Sequence, residues 1–131
     1  MARTLIPLTP LVSNNGIQVP VATAVDPTNG HYVDCTGLTG QLLISVNNTF
    51  AGTKTVTIKA GTSNPPAFRN SLGDFVFTAA ASDRCVVGPL ESARFVQPVG
   101  GTDGGTGGRV FIDLAASITG TITALFIPKA T

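Results

Sequence analysis

The sequence predicts an all-β, single-domain protein: a β-sandwich of jelly-roll-like or Greek-key type with eight or nine short strands. Three observations point there. Apolar and polar residues alternate in short runs, as half-buried strands require, most clearly in "KTVTIKA". No window of a dozen residues carries an apolar repeat at helical spacing, and the nearest candidates, "FTAAAS" and "LAAS", are one turn long. The runs are bounded by "DPTNG", "NNTFAGT", "SNPP", "LGD" and "GP", whose Gly, Asn and Pro supply positive φ or preset turns. A closed barrel shares this signature, so strand spacing alone does not rank the three all-β architectures.

In chain order, residues 1–16 read as an extended N-terminal arm, because Pro7, Pro10 and "SNNG" interrupt any regular element. Residues 17–131 make the sandwich domain. Its first segment, "GIQVPVATAV", contains Pro20 and is demoted to an edge strand or an irregular crossing. Strands follow in "HYVDC", "QLLISVNN" and "KTVTIKA", where Val56, Ile58 and Ala60 share a face. The loop "NPPAFRNSLGDF" is stiffened by two prolines and presents Phe68 and Arg69, either as a plug for one end of the sandwich or as a contact loop whose docking loses little entropy. Further strands are read in "DFVFTAA", "RCVVG", "ESARFVQP", "RVFIDL" and "TGTITALFIP". Phe75, Phe77, Phe95, Phe111 and Phe126 fall inside these patterns and read as core. Glu91 and Arg94, three apart in "ESARF", would point to opposite faces of a flat strand.

Composition narrows the function. The 131 residues suffice for one domain with a real core. A net charge of +1, with eight Lys and Arg scattered singly, provides no field to gather nucleic acid or anionic lipid. Only 11% of residues are charged, against about 25% in an average soluble domain, which favours covering neutral surface by assembly. The N-terminus lacks the long apolar stretch of a signal peptide, and no run reaches the ~20 apolar residues of a membrane helix. The chain is therefore expected to be made and left in a cytosol, with Cys35 and Cys85 as reduced, buried thiols, although in an extracellular particle the two would oxidise to a disulfide if their strands were neighbours.

Motifs for chemistry are thin. "GGTDGGTGG", residues 100–108, holds six of the fifteen glycines, but Arg109 and the strand-like "VFIDL" follow where a phosphate loop needs Lys, Ser or Thr and a helix. It reads as the tip of a long hairpin. His31, the sole histidine, reads as a turn or surface residue, and one His with two distant Cys has no metal-ligand spacing. No G-x-S-x-G elbow is present, and the seven carboxylates are dispersed. With no Trp and one Tyr, sugar platforms are scarce. Asn47-Asn48-Thr49 matches a glycosylation acceptor without a secretion signal beside it. No catalytic residue, metal or cofactor is expected.

The runs "KTVTIKAG", "NPPAFR", "LGD" and above all "VVGPLESARFVQP" resemble head decoration, or cement, proteins of tailed phages that infect actinobacteria. The resemblance spans about Leu42 to Pro128, with its distinctive run at Gly88–Gln97. It implies a virion protein made in the host cytoplasm, bound as a trimer to the outside of a shell of HK97-type major capsid protein; Phe68 and Arg69 of the stiff loop and Arg94 of "ESARF" are the capsid or subunit contacts expected on their own residues. It implies no enzyme activity and no nucleic-acid or membrane partner. A host-glycan-binding module on a virion is the alternative, and a shell-forming jelly-roll coat protein is a third reading.

Overall fold

The computed structural model describes residues 3–12, 14–18, 20–36, 40–62, 67, 69–90, 92–98 and 107–128. Within them lie ten strands: β1 (Thr4–Leu5), β2 (Leu8–Pro10), β3 (Thr23–Ala24), β4 (His31–Asp34), β5 (Gly40–Asn48), β6 (Lys54–Ile58), β7 (Phe75–Ala79), β8 (Asp83–Leu90), β9 (Arg109–Leu114) and β10 (Gly120–Pro128). A 3-10 turn at Asn70–Leu72 and one helical turn, α1 (Ser92–Phe95), complete them.

The strands pair as nested antiparallel ladders: β6 with β7, β5 with β8, β4 with β9, and β3 with β10. Rolled up, this long hairpin forms two packed sheets, ordered β3-β10-β5-β8 and β4-β9-β6-β7. That order is the eight-stranded jelly roll, so the all-β sandwich expected from alternation is present with that connectivity. Two further strands exceed the eight or nine expected. They are β1, parallel to β4, and β2, parallel to β10.

Period-two alternation builds the core. Leu42, Ile44 and Val46 of β5 face Ile122, Ala124 and Phe126 of β10 on the inner side of one sheet. Val56 and Ile58 of β6 and Val110, Ile112 and Leu114 of β9 line the other. At Gly120, φ is +128°, and a Cβ there would overlap the Asn47 carbonyl. Only glycine allows β10 to start that close to β5.

The N-terminal segment departs from the extended arm read over residues 1–16. Thr4–Leu5 joins one sheet and Leu8–Pro10 the other, and Ile6 between them is 1% exposed within the hydrophobic cluster. Pro7 and Pro10 do not prevent this, because both strands lie at sheet edges, where a missing N–H costs no ladder bond. "ESARFVQP" also differs from the strand read there. Ser92–Phe95 is a helical turn, and only Val96 bridges to a strand, at Val110. A flat-strand relation between Glu91 and Arg94 is therefore lost, and Glu91 lies outside the described residues.

Candidate functional site

Three buried polar side chains fix the corners of the roll, and each bonds to main chain. His31 is fully buried at the start of β4, not in a surface turn as the sequence suggested. Its Nε2 accepts the Asp26 amide at 2.9 Å, and Nδ1 lies 3.2 Å from the Thr4 carbonyl. Asn48 Nδ2 donates to the Gly52, Ala79 and Ala80 carbonyls, and Oδ1 accepts the Phe50 amide. Gln97 Nε2 donates to the Ala60 carbonyl at 3.0 Å, and its Oε1 accepts the Thr62 amide. Buried amides and imidazoles persist when satisfied in this way. Sequence patterning missed all three, since a polar residue in a turn-rich stretch reads as exposed.

The two outer faces of the sandwich differ in chemistry. Strand register places Thr123, Ser45 and Val86 in one row across the β10-β5-β8 sheet, and Leu125 beside Leu43 in the next. Val86 is 66% exposed. Leu11, Ile17 and Pro20 lie along this face and border a shallow groove of about 180 Å³ with Ser45, Thr123 and Leu125. Ile17 is exposed there, and Val12 and Val21, next in sequence to Leu11 and Pro20, are exposed as well. None of these residues is charged, and the row beyond Thr123–Ser45–Val86, made of Thr121, Asn47 and the exposed Arg84, adds one cation.

On the other sheet, the outer face of β4 and β9 is covered by cations over rings, whereas β6 and β7 present Thr55, Thr57, Thr78 and the exposed Val76. Phe111 pairs with Tyr32 across β9 and β4. The Arg3 guanidinium lies 4.3 Å from the Phe111 centroid and reaches Asp113 at 2.6 Å. Arg109 lies 4.4 Å over Tyr32. Phe111, expected in the core, is thus buried from outside, beneath an arginine.

At one mouth of the sandwich a cleft of about 320 Å³ opens between Gln41, Phe75, the Gly88–Leu90 end of β8, Arg94 and Phe95. The β5–β8 register shifts between Leu42 and Ile44, opposite the Gly88–Leu90 end of β8 that borders the cleft. Arg94 Nε donates to the Gly73 carbonyl at 3.0 Å and Nη2 to the Asp74 carbonyl at 3.3 Å. Its guanidinium lies 5.0 Å from the Phe95 centroid and 5.9 Å from that of Phe75. The Asp74 carboxylate is turned to Lys59 Nζ at 2.8 Å and the Ala60 amide at 2.7 Å. Burial acts to raise the Asp74 carboxyl, but these bonds and the charges of Lys59 and Arg94 hold it below its ordinary value.

Of the three contact residues singled out in the sequence, Arg94 is half-buried at this cleft and Arg69 is exposed just before the 3-10 turn, which packs against α1. The fold thus brings Arg69 and Arg94 to one end of the sandwich. Phe68 lies outside the described residues, as do residues 100–106 of the glycine-rich tip. The base of that loop is held where Gly108 donates to the Gln97 carbonyl and Gln97 to the Arg109 carbonyl.

Cys35 and Cys85 are unpaired and half-buried, one just after β4 and the other in β8 of the opposite sheet. Burial, helped by Asp34, pushes the Cys35 thiol up to about 11, and burial also raises Cys85. Among the described residues no group of three or more His, Cys, Asp or Glu could hold a metal ion, and no helix is long and apolar enough to cross a membrane. No family model, curated protein or solved structure matches the chain.

Proposed function

We propose that this chain is a structural, non-enzymatic virion protein that binds the outer surface of a phage capsid and stabilises the shell by bridging capsomers. The partner is a major capsid protein of HK97 type, and the working form is a homotrimer. The observation that carries this reading is the sidedness of the sandwich: a face bearing Val86, Leu43 and Leu125 on which the described strands place a single charge, Arg84, and an opposite face where Arg3, Arg109 and Asp113 cluster over β4 and β9. A protein fixed to a shell loses water from one face and keeps the other wet. The jelly roll and the resemblance at Gly88–Gln97 support the same reading. Binding only the expanded lattice would stabilise that state by mass action, and many weak contacts on one particle add avidity.

The test is co-sedimentation of the purified protein with expanded, undecorated capsids. Saturable binding that Val86→Glu abolishes and Asp113→Asn leaves intact is the expected result. A soluble monomer that ignores capsids would overturn the reading, and binding of the isolated protein to host cell-wall polysaccharide would favour glycan recognition.

A further inference from the structure

We propose that the cleft between β7, β8 and α1 binds a carboxylate carried on an extended, apolar peptide segment of a partner protein, with Arg94 as the anion-binding group.

Arg94 is a held cation with donors to give. A guanidinium has five N–H groups, and the bonds to the Gly73 and Asp74 carbonyls use two of them. Among the described residues no carboxylate pairs with Arg94, because the nearby Asp74 side chain is engaged by Lys59 and the Ala60 amide. The two carbonyl bonds and the neighbouring Phe95 ring fix the guanidinium plane before any ligand arrives, so little side-chain freedom remains to be lost on binding. At about 320 Å³ the cleft sits at the small end of ligand sites, and Phe75, Leu90 and Phe95 give it apolar walls beside the polar groups of Gln41 and Arg94.

The edge of β7 indicates what carries the carboxylate. β7 ends the β4-β9-β6-β7 order, and no described strand pairs with its outer side. Its sequence, Phe75-Val76-Phe77-Thr78-Ala79, contains neither the proline nor the charge that commonly guards an edge, and Val76 is 56% exposed. An extended segment added there gains main-chain hydrogen bonds. Phe75 is both the first residue of that edge and a wall of the cleft, so a strand laid along β7 runs past Arg94. A Glu or Asp at that point would meet the unused N–H groups as a charge-assisted pair. This inference is independent of the capsid reading, since the cleft and edge carry it alone.

The test is NMR titration of the isotope-labelled full chain with two capped peptides, acetyl-Val-Glu-Val-Thr-Val-amide and its Gln counterpart. Expected are shifts of the Phe75–Ala79 amides and of Arg94 Nε–H, with the Glu peptide bound about tenfold more tightly. Arg94→Gln should erase that preference, and Arg94→Lys should keep part of it. Should Arg94→Gln disturb the 73–74 turn, the Glu-to-Gln ratio in the unaltered protein still decides. Equal affinity for the two peptides, shifts confined to other surfaces, or no shifts at all would overturn the proposal.

Discussion

His31 Nε2 accepts the Asp26 backbone N–H at 2.9 Å, so the buried ring is neutral with its proton on Nδ1, facing the Thr4 carbonyl. The pair ties β1 to the turn before β4. Protonating the ring would remove that acceptor. Burial foremost lowers the His31 pKa from its ordinary 6.5, and nearby Arg3 adds to this, while the Thr4 carbonyl and the Asp26 charge act the other way. The unfolded chain therefore takes up the proton first. The stability due to the neutral ring is complete above 6.5 and is lost as pH falls through the window between that value and the lower folded one. The urea midpoint is expected to drop between about pH 7 and pH 5. His31→Gln, destabilised by about 1–3 kcal/mol at neutral pH, should lack that part of the slope. Asp26, with its pKa lowered chiefly by the Thr4 hydroxyl, titrates below this window. A flat wild-type profile would contradict the neutral-ring assignment.

Ile6 is where the arm reading and the fold disagree most sharply. A frayed arm would tolerate Ile6→Ala with almost no change. Buried among the core residues, the same substitution is expected to cost about 2–5 kcal/mol in denaturant unfolding.

Asn48 offers a graded comparison. Asn48→Ala leaves the Phe50 amide and three carbonyls without their side-chain partner and should cost about 1–3 kcal/mol. Asn48→Asp keeps the shape but sets a carboxylate against the Gly52, Ala79 and Ala80 carbonyls. Thermal unfolding at neutral pH should rank wild type above Ala and Ala above Asp.

Thiol labelling reads the environment of β4. With Cys35 moved from 9.0 to about 11, the native protein holds about a hundredfold less Cys35 thiolate near neutral pH than an ordinary cysteine would. Iodoacetamide should modify Cys35 slowly until the chain is unfolded. Rapid labelling of the native protein would show that the site is open.

Alternation made the central strands legible. Val56 and Ile58 in "KTVTIKA" are buried as the pattern required, and "RVFIDL" and "TGTITALFIP" behave likewise. Legibility fails where tertiary geometry outranks the local pattern. "ESARFVQP" has strand-like residues, yet Ser92–Phe95 makes a helical turn between the end of β8 and the Val96–Val110 bridge. Arg94 could be picked out by its run, but its setting could not be read. The cleft draws on the start of β5, the start of β7, the end of β8 and α1, far apart in sequence. His31 was misread because the turn at Asp26–Gly30 precedes it, and nothing local shows that Thr4 returns to cover it.

The place of β10 bears on how the chain is made. β2, β3 and β5 all hydrogen-bond to Gly120–Pro128, so during synthesis three earlier strands wait without that partner until nearly all the chain before it has been translated. Antiparallel β6–β7 closes across a shorter loop and is available sooner. β5 can pair with β8 once Leu90 has been made, but its other edge and its inner apolar face stay open until β10 emerges. Slow synthesis and low temperature should therefore raise the yield of folded protein, by letting β10 close that edge before chains meet.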